Sequence, residues 1–447
     1  MMNRNIKFHA LALLFMLALI CSPAFADAFE MHKQKLANGL TVVHVERREV
    51  PIVMATLLVQ ASPLQEISAK SGTAYLTAKM LTEGTSTRKA VDISRGIDFI
   101  GASLDTAVNQ DYTTISLSVL KKDVIKGFDL FSDVSLHPAF PEDEFARKIE
   151  QLKGAIRQKE EDPSYLAGRQ FNRDVFGDHP YGRPVEGTQQ SIDGIMREDV
   201  LNFYRTFYRP DNSILVVVGD IGTDELNSLL SRSFNMWTGK IDSAGLKTQP
   251  AAPQQPKGKR IDVIDRDVAQ ANILFGYVGI ARDDPDYYVV QVMNYIFGGG
   301  GFSSRLMKII REEMGLTYSI NSFFAAAKFP GRFEIEVQTK NESAGLVIDE
   351  IMKQLLLMKE GPVSEQELRD AKDYLIGSFP RRLETNRKTA DFLAAMLYYR
   401  LGDDYIDRYK DYISGVSRED VLRVARKYLR DRNYVLVVVG NKKKLKL

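Results

Sequence analysis

The feature that most constrains this chain is that it repeats itself. Residues 197–219 read REDVLNFYRTFYRPDNSILVVVG, and residues 418–440 read REDVLRVARKYLRDRNYVLVVVG. The two stretches align without a gap at an offset of 221 residues. Five identical residues open them, Arg197 to Leu201 against Arg418 to Leu422; Asn212 faces Asn433, and VVVG closes both. Each copy reads as a helix, a polar turn, and a short β-branched strand ended by glycine. A gapless match with identical opening and closing marks an internal duplication, and a period this long means two tandem domains rather than a solenoid.

The join falls in a stretch rich in Pro, Gln, Ala and Lys, ending in TQPAAPQQPKGK. Such a segment buries too little apolar surface to fold and reads as a linker. The expected boundaries are a first domain over 27–241, a linker over 242–259 and a second domain over 260–447. In the first half, Leu40–Glu46 and Ile52–Gln60 read as strands, followed by helices near 69–82 and 90–99. A strand pair follows around 103–120, then long helical patterns over 122–175. The second half repeats the plan, with strands near 260–265 and 272–280 and a helix running into Gly298–Gly301. Strands near 317–326 and 331–339 then precede helices over 341–430. Strands grouped early and helices grouped late in each half imply an α+β fold, a mainly antiparallel sheet with helices on one face.

The N-terminus carries Arg4 and Lys7, an apolar run from Ala10 to Ile20, and Ala24-Phe25-Ala26 at a cleavage spacing. The expectation is a secretory signal peptide over 1–26 and export, to the periplasm in a Gram-negative cell. The run is shorter than the roughly 20 residues that span a bilayer, so no stable membrane span is expected. Cys21 is the only cysteine. Lipid attachment there lacks the small residue that processing favours just before the Cys, because Ala18-Leu19-Ile20 precede it. Disulfides and cysteine metal ligands are excluded from the mature chain. A formal net charge of +2 gives no pull toward nucleic acid, and the basic end from Lys442 to Lys446 reads as a solvated tail.

Chemistry-bearing motifs are mostly missing. The mature chain has four histidines, His32, His44, His137 and His179, with no i, i+4 pair to place two imidazoles on one helical face. Nor is there a nucleophile elbow or a phosphate-binding G-x-x-x-x-G-K. The run Gly298-Gly299-Gly300-Gly301 follows a helix pattern, not a strand, so it is no dinucleotide loop. It reads either as a flexible connector or as a mobile lip that binds over a cavity.

Four segments together resemble the pitrilysin, insulin-degrading enzyme and mitochondrial processing peptidase family of inverted-motif zinc peptidases. They are Ala37-Asn38-Gly39-Leu40, Ser71-Gly72-Thr73-Ala74, Asp178-His179-Pro180-Tyr181-Gly182, and GGGGFSSRLMKIIREEMGLTYSI at 298–320. The resemblance covers essentially the whole mature chain. It implies a His-x-x-Glu-His helix whose histidines, with a later Glu, hold zinc while the central Glu acts as general base. Here that helix reads Tyr75-Leu76-Thr77-Ala78-Lys79. Tyr75 and Lys79 stand at the histidine positions, Ala78 at the base, and Ala155 at the later ligand. The edge strand that pairs with substrate in the family corresponds to residues 101–107, without the usual Asn-Ala.

The resemblance also implies an Arg and a Tyr seven residues apart after the glycine-rich loop, here Arg311 and Tyr318. In the family the phenol hydrogen-bonds the developing oxyanion and the guanidinium holds the substrate backbone. On spacing alone, Arg311 compensating a helix C-terminus and Tyr318 packing in a strand is the simpler reading, and the family match reverses that preference. The expectation is therefore a chain inactive alone, the metal-free subunit of a heterodimer. Its zinc-bearing partner would hydrolyse unfolded peptides, with Arg311 and Tyr318 completing the site in trans. The alternatives are a non-catalytic scaffold or peptide-binding module of the same fold, and a self-sufficient peptidase with a displaced zinc site.

Overall fold

The computed structural model describes residues 30–241 and 250–447. Residues 1–29, with the expected signal peptide, and residues 242–249 of the expected linker lie outside the described residues. The first half contributes six strands: β1 (Met31–Lys35), β2 (Thr41–Glu46), β3 (Ile52–Val59), β4 (Ser103–Val108), β5 (Thr113–Leu120) and β6 (Ser213–Gly219). Its helices are α1 (Thr73–Met80), α2 (Ala90–Phe99), α3 (Val124–Leu136), α4 (Glu142–Lys159), α5 (Pro163–Phe176), α6 (Gln189–Asp193), α7 (Arg197–Phe207) and α8 (Thr223–Ser233). The second half contributes β7 (Lys259–Asp265), β8 (Gln270–Val278), β9 (Thr317–Ala325), β10 (Arg332–Lys340) and β11 (Tyr434–Gly440). Its helices are α9 (Tyr287–Asn294), α10 (Ala344–Glu360), α11 (Glu365–Ser378), α12 (Asn386–Tyr398), α13 (Tyr405–Ser414) and α14 (Arg418–Tyr428).

The duplication is visible in topology. The first sheet runs β1-β2-β6-β3-β5-β4 and the second β7-β11-β8-β10-β9, so each strand of the second has a counterpart in the first. Each sheet has one parallel pair, β2 with β6 and β7 with β11, and is otherwise antiparallel. The repeated segments become α7–β6 and α14–β11. The shared Asp of REDVL caps both helices: Asp199 Oδ2 accepts the Met196 N–H at 2.8 Å and Asp420 Oδ2 the Ser417 N–H at 3.1 Å.

Why the repeated strand is a continuous apolar run follows from what covers it. Every residue of β6 and β11 is buried. In β6, Leu215 and Val217 face the first half's own helices, packing with Leu76, Phe128 and Phe203. Ile214, Val216 and Val218 face the opposite way, into a core shared with Leu393 and Ala394 of α12. In β11 the second face, Val435, Val437 and Val439, meets Leu166, Phe171 and Val175 of α5. Own helices therefore cover one face of each sheet, and one helix of the other half covers the second face. Strands covered on both sides lose the alternation that marks a half-solvated sheet. Each fully buried Val, Leu or Phe contributes about 1.5–3 kcal/mol, so the exchanged helices bind the halves firmly.

A polar joint adds to this. Asp111, 2% exposed in the β4–β5 turn, accepts hydrogen bonds from the Tyr399 hydroxyl at 2.7 Å, the Lys328 N–H at 2.9 Å and the Tyr181 hydroxyl. One buried carboxylate thus ties Tyr181 of the Asp-His-Pro-Tyr-Gly segment to two elements of the second half. No described helix is long and apolar enough to cross a membrane.

Candidate functional site

The α1 helix starts where Gly72 takes φ 101°, a left-handed conformation that a side chain disfavours. Its first N–H groups are held by the Glu66 carboxylate, which accepts from Gly72 N at 3.1 Å and Ala74 N at 2.7 Å. Burial pushes the Glu66 carboxyl up to about 7, against the lowering effect of those N–H bonds and of Arg183. From this fixed end the helix presents Tyr75, Ala78 and Lys79 toward β4. Ala78 is fully buried, while Tyr75 and Lys79 are half-buried.

Lys79 does the most there. Its ammonium donates to the Thr106 carbonyl at 2.7 Å and lies 5.5 Å from the centre of the Tyr75 ring. Burial lowers the Lys79 pKa; Lys148 of α4 lowers it further and Asp105 of β4 opposes the shift. Ala155 is exposed, two turns beyond Lys148 on one face of α4. Lys148 itself pairs with Glu83. These residues do not fit a zinc ion: they offer no imidazole and no carboxylate, and two ammonium groups repel a divalent cation. Among the described residues, no group of three His, Cys, Asp or Glu side chains is placed to hold a metal.

The four histidines serve local structure. His44 Nε2 bonds the Ile221 carbonyl at 2.9 Å and stacks on His32 across the β1–β2 pair, and burial lowers its pKa. His179 Nδ1 accepts the Tyr181 N–H at 3.1 Å; burial and Arg183 hold its imidazole down at about 4. His137 lies 3.5 Å from Asp133, one turn back on α3.

In the second half the glycine run is tightly packed. Tyr295–Gly299 and Met307–Glu313 form π-helical turns. A Cβ on Gly298 would meet Ser322 Oγ at 2.5 Å, one on Gly299 the Asn294 Nδ2 at 2.4 Å, and one on Gly300 the Tyr295 carbonyl at 2.6 Å. Only Gly301 opens on free space. Close approach therefore demands glycine at three of the four positions, where the sequence reading offered a connector or a lip. Phe302, which follows, is 66% exposed and carries the Arg311 guanidinium 4.7 Å above its ring. The nearest carboxylate to Arg311 is Glu312 at 4.0 Å. Tyr318, near the start of the edge strand β9, is 86% exposed. β9 runs beside the Met307–Glu313 turn, so both groups belong to one corner of the second sheet, without a hydrogen bond or ring contact between them.

Sequence reasoning passed over Glu66 and Asn294, and gave Thr106 and Phe302 no role of their own within the segments 101–107 and 298–320. Only Phe302 left a signal, as an aromatic residue directly after the glycines.

The molecule is thus two tandem α+β units joined by exchanged helices, with a glycine-packed corner in the second. Residues 41–189 match the Insulinase (Peptidase family M16) family, and residues 194–375 match the Peptidase M16 inactive domain. An uncharacterized zinc protease of Mycobacterium leprae is 30% identical over 366 residues, covering 78% of each chain. Another, of Rickettsia felis, is 26% identical over 402 residues, 88% of this chain and 93% of that one. The crystal structure of a peptidase M16 inactive domain from Pseudomonas fluorescens superposes with a TM-score of 0.85 at 28% identity, covering 94% of this chain and all of that one. The chain belongs to peptidase family M16, the pitrilysin and insulinase family.

Proposed function

We propose that this chain is the metal-free subunit of a two-chain M16 peptidase, lending Arg311 and Tyr318 to the zinc site of a paralogous partner. The observation that carries the reading is an asymmetry between corners. At α1 the positions expected for zinc ligands and base hold Tyr75, Lys79 and Ala78, and the ammonium of Lys79 is engaged by β4. At the second corner, the Tyr318 phenol projects into solvent and Arg311 rests on an aromatic ring rather than in a strong ion pair. A phenol and a guanidinium placed so are available to a second chain, where a donor aimed at a developing oxyanion is worth about 10²–10³ in rate. The α1 corner itself takes no metal in this reading. An exported, periplasmic location and the split into 27–241 and 260–447 belong to the same proposal; they rest on the N-terminal apolar run and on the linker composition.

The test is peptide hydrolysis by this chain, by its zinc-bearing partner, and by the two together. Activity is expected only from the mixture, with Arg311→Ala plus Tyr318→Phe lowering kcat by about 10²-fold or more while leaving assembly intact. Undiminished activity of the double variant would leave the chain a scaffold.

A further inference from the structure

The Lys79 contact has a counterpart in the other half. One edge strand of the first sheet is β4, and the corresponding edge of the second is β9. The helix packed beside each is α1 or α9, and each sends one polar side chain from its last turn to a carbonyl of that strand. Lys79 Nζ reaches Thr106 O at 2.7 Å, and Asn294 Nδ2 reaches Ser322 O at 3.0 Å. The second contact is doubled, because the Ser322 hydroxyl donates back to Asn294 Oδ1 at 2.7 Å.

The phase of the β4–β5 ladder says which side of β4 Lys79 occupies. The hairpin closes with a bond from Asn109 N to Tyr112 O at 3.0 Å, and Val108 pairs Thr113 beside it. Antiparallel pairs alternate between bonded and non-bonded. Ala107, Asp105 and Ser103 therefore direct their N–H and C=O toward β5, and Thr106 turns its own outward. The Thr106 carbonyl is an acceptor that an added strand would use, and Lys79 already holds it. A Lys on an edge strand's open side is also a recognised way to keep that edge from pairing.

We infer that Lys79 closes the β4 edge to peptide, tethering β4 to α1 as Asn294 tethers β9. The closure is a property of the lone chain. A further consequence rests on the two-chain reading above: peptide in the assembled enzyme pairs with the partner's edge and not with this one.

The experiment uses the full mature chain without a partner, so a failure of trans completion leaves its outcome unaffected. The probe is a fluorescein-labelled, unstructured peptide of about 15 residues rich in Val, Thr and Leu, a composition suited to strand addition. Benzoylphenylalanine in place of the exposed Ala107 reports contact with β4. The native chain is expected to give no crosslink. Lys79→Met, which keeps the apolar stem and removes the donor, is expected to crosslink and to bind about tenfold tighter, the scale of one charge-assisted hydrogen bond. Lys79→Arg should behave as the native chain. The inference is overturned if the native chain crosslinks as strongly as Lys79→Met, or if Lys79→Met binds no better. Should Lys79→Met fail to fold, hydrogen exchange of the native chain at high peptide concentration decides: protection across 103–108 overturns the closure, and its absence supports it.

Discussion

The α1–β4 and α9–β9 joints occupy the same place in the two sheets and are built from opposite materials. The first is a half-buried ammonium on a carbonyl; the second is a buried amide that both donates and accepts. The acids at the starts of the two helices diverge as well. Glu66 is buried with no cation within ion-pair distance and sits at about 7. Asp286 is also buried, but bonds from Lys427, Arg423 and Tyr428 hold its carboxyl down at about 2. One duplicated frame thus carries an acid that burial pushes up toward neutral pH and another that three donors keep ionised there.

The comparison can be broken most forcefully through the exchanged helices. Phe171→Ala removes a fully buried ring of α5 from the second sheet and is expected to cost about 3–5 kcal/mol. If the halves are one cooperative body, Trp237, the single tryptophan and a first-half residue, will report the same urea midpoint as circular dichroism. Separate midpoints would mean that the halves melt independently.

The acids give the next largest effect, with opposite signs. Glu66 has a folded value of about 7 against 4.5 unfolded, so its contribution is fully present below pH 4.5 and is lost as pH rises through 7. Asp286 falls from 3.8 to about 2, so its contribution is present above pH 3.8 and lost as pH drops through 2. Glu66→Gln should therefore remove a decline of up to about 3 kcal/mol between pH 4.5 and 7, read from denaturation midpoints. An unchanged slope would show that Glu66 ionises freely.

Smaller effects separate the two tethers. Asn294→Ala leaves the Ser322 carbonyl and hydroxyl unpaired in a buried site and should cost about 1–3 kcal/mol. Lys79→Met leaves the Thr106 carbonyl next to solvent and should cost about 1 kcal/mol or less. Equal costs in thermal melts would erase the distinction between the joints.

Much of this fold was legible in the residues, for identifiable reasons. REDVL and VVVG located the repeat because capping and strand chemistry are local. The strands 317–325 and 332–340 fell where their alternation placed them. β1 left no trace, since Met31–Lys35 is an exposed edge strand of mostly polar residues with no apolar period. The exchange of α5 and α12 was hidden for a different reason: an amphipathic pattern says that a face is buried, not against which sheet. The identities of Tyr75, Ala78 and Lys79 were readable once the family was suspected, but the tethers were not. Each depends on a contact between residues 27 or 28 apart in the chain, made by side chains that look ordinary in sequence.

The exchanged helices have a consequence for ancestry. A single half, cut at the linker, would expose one bare face of its sheet while α5 or α12 had nothing to cover. Two such halves trading that helix would make a closed, twofold swapped dimer, with each copy completing the other. The present chain has the architecture of such a dimer joined end to end. In one joined chain the two halves can differ residue by residue, so a change at one corner need not appear at the other.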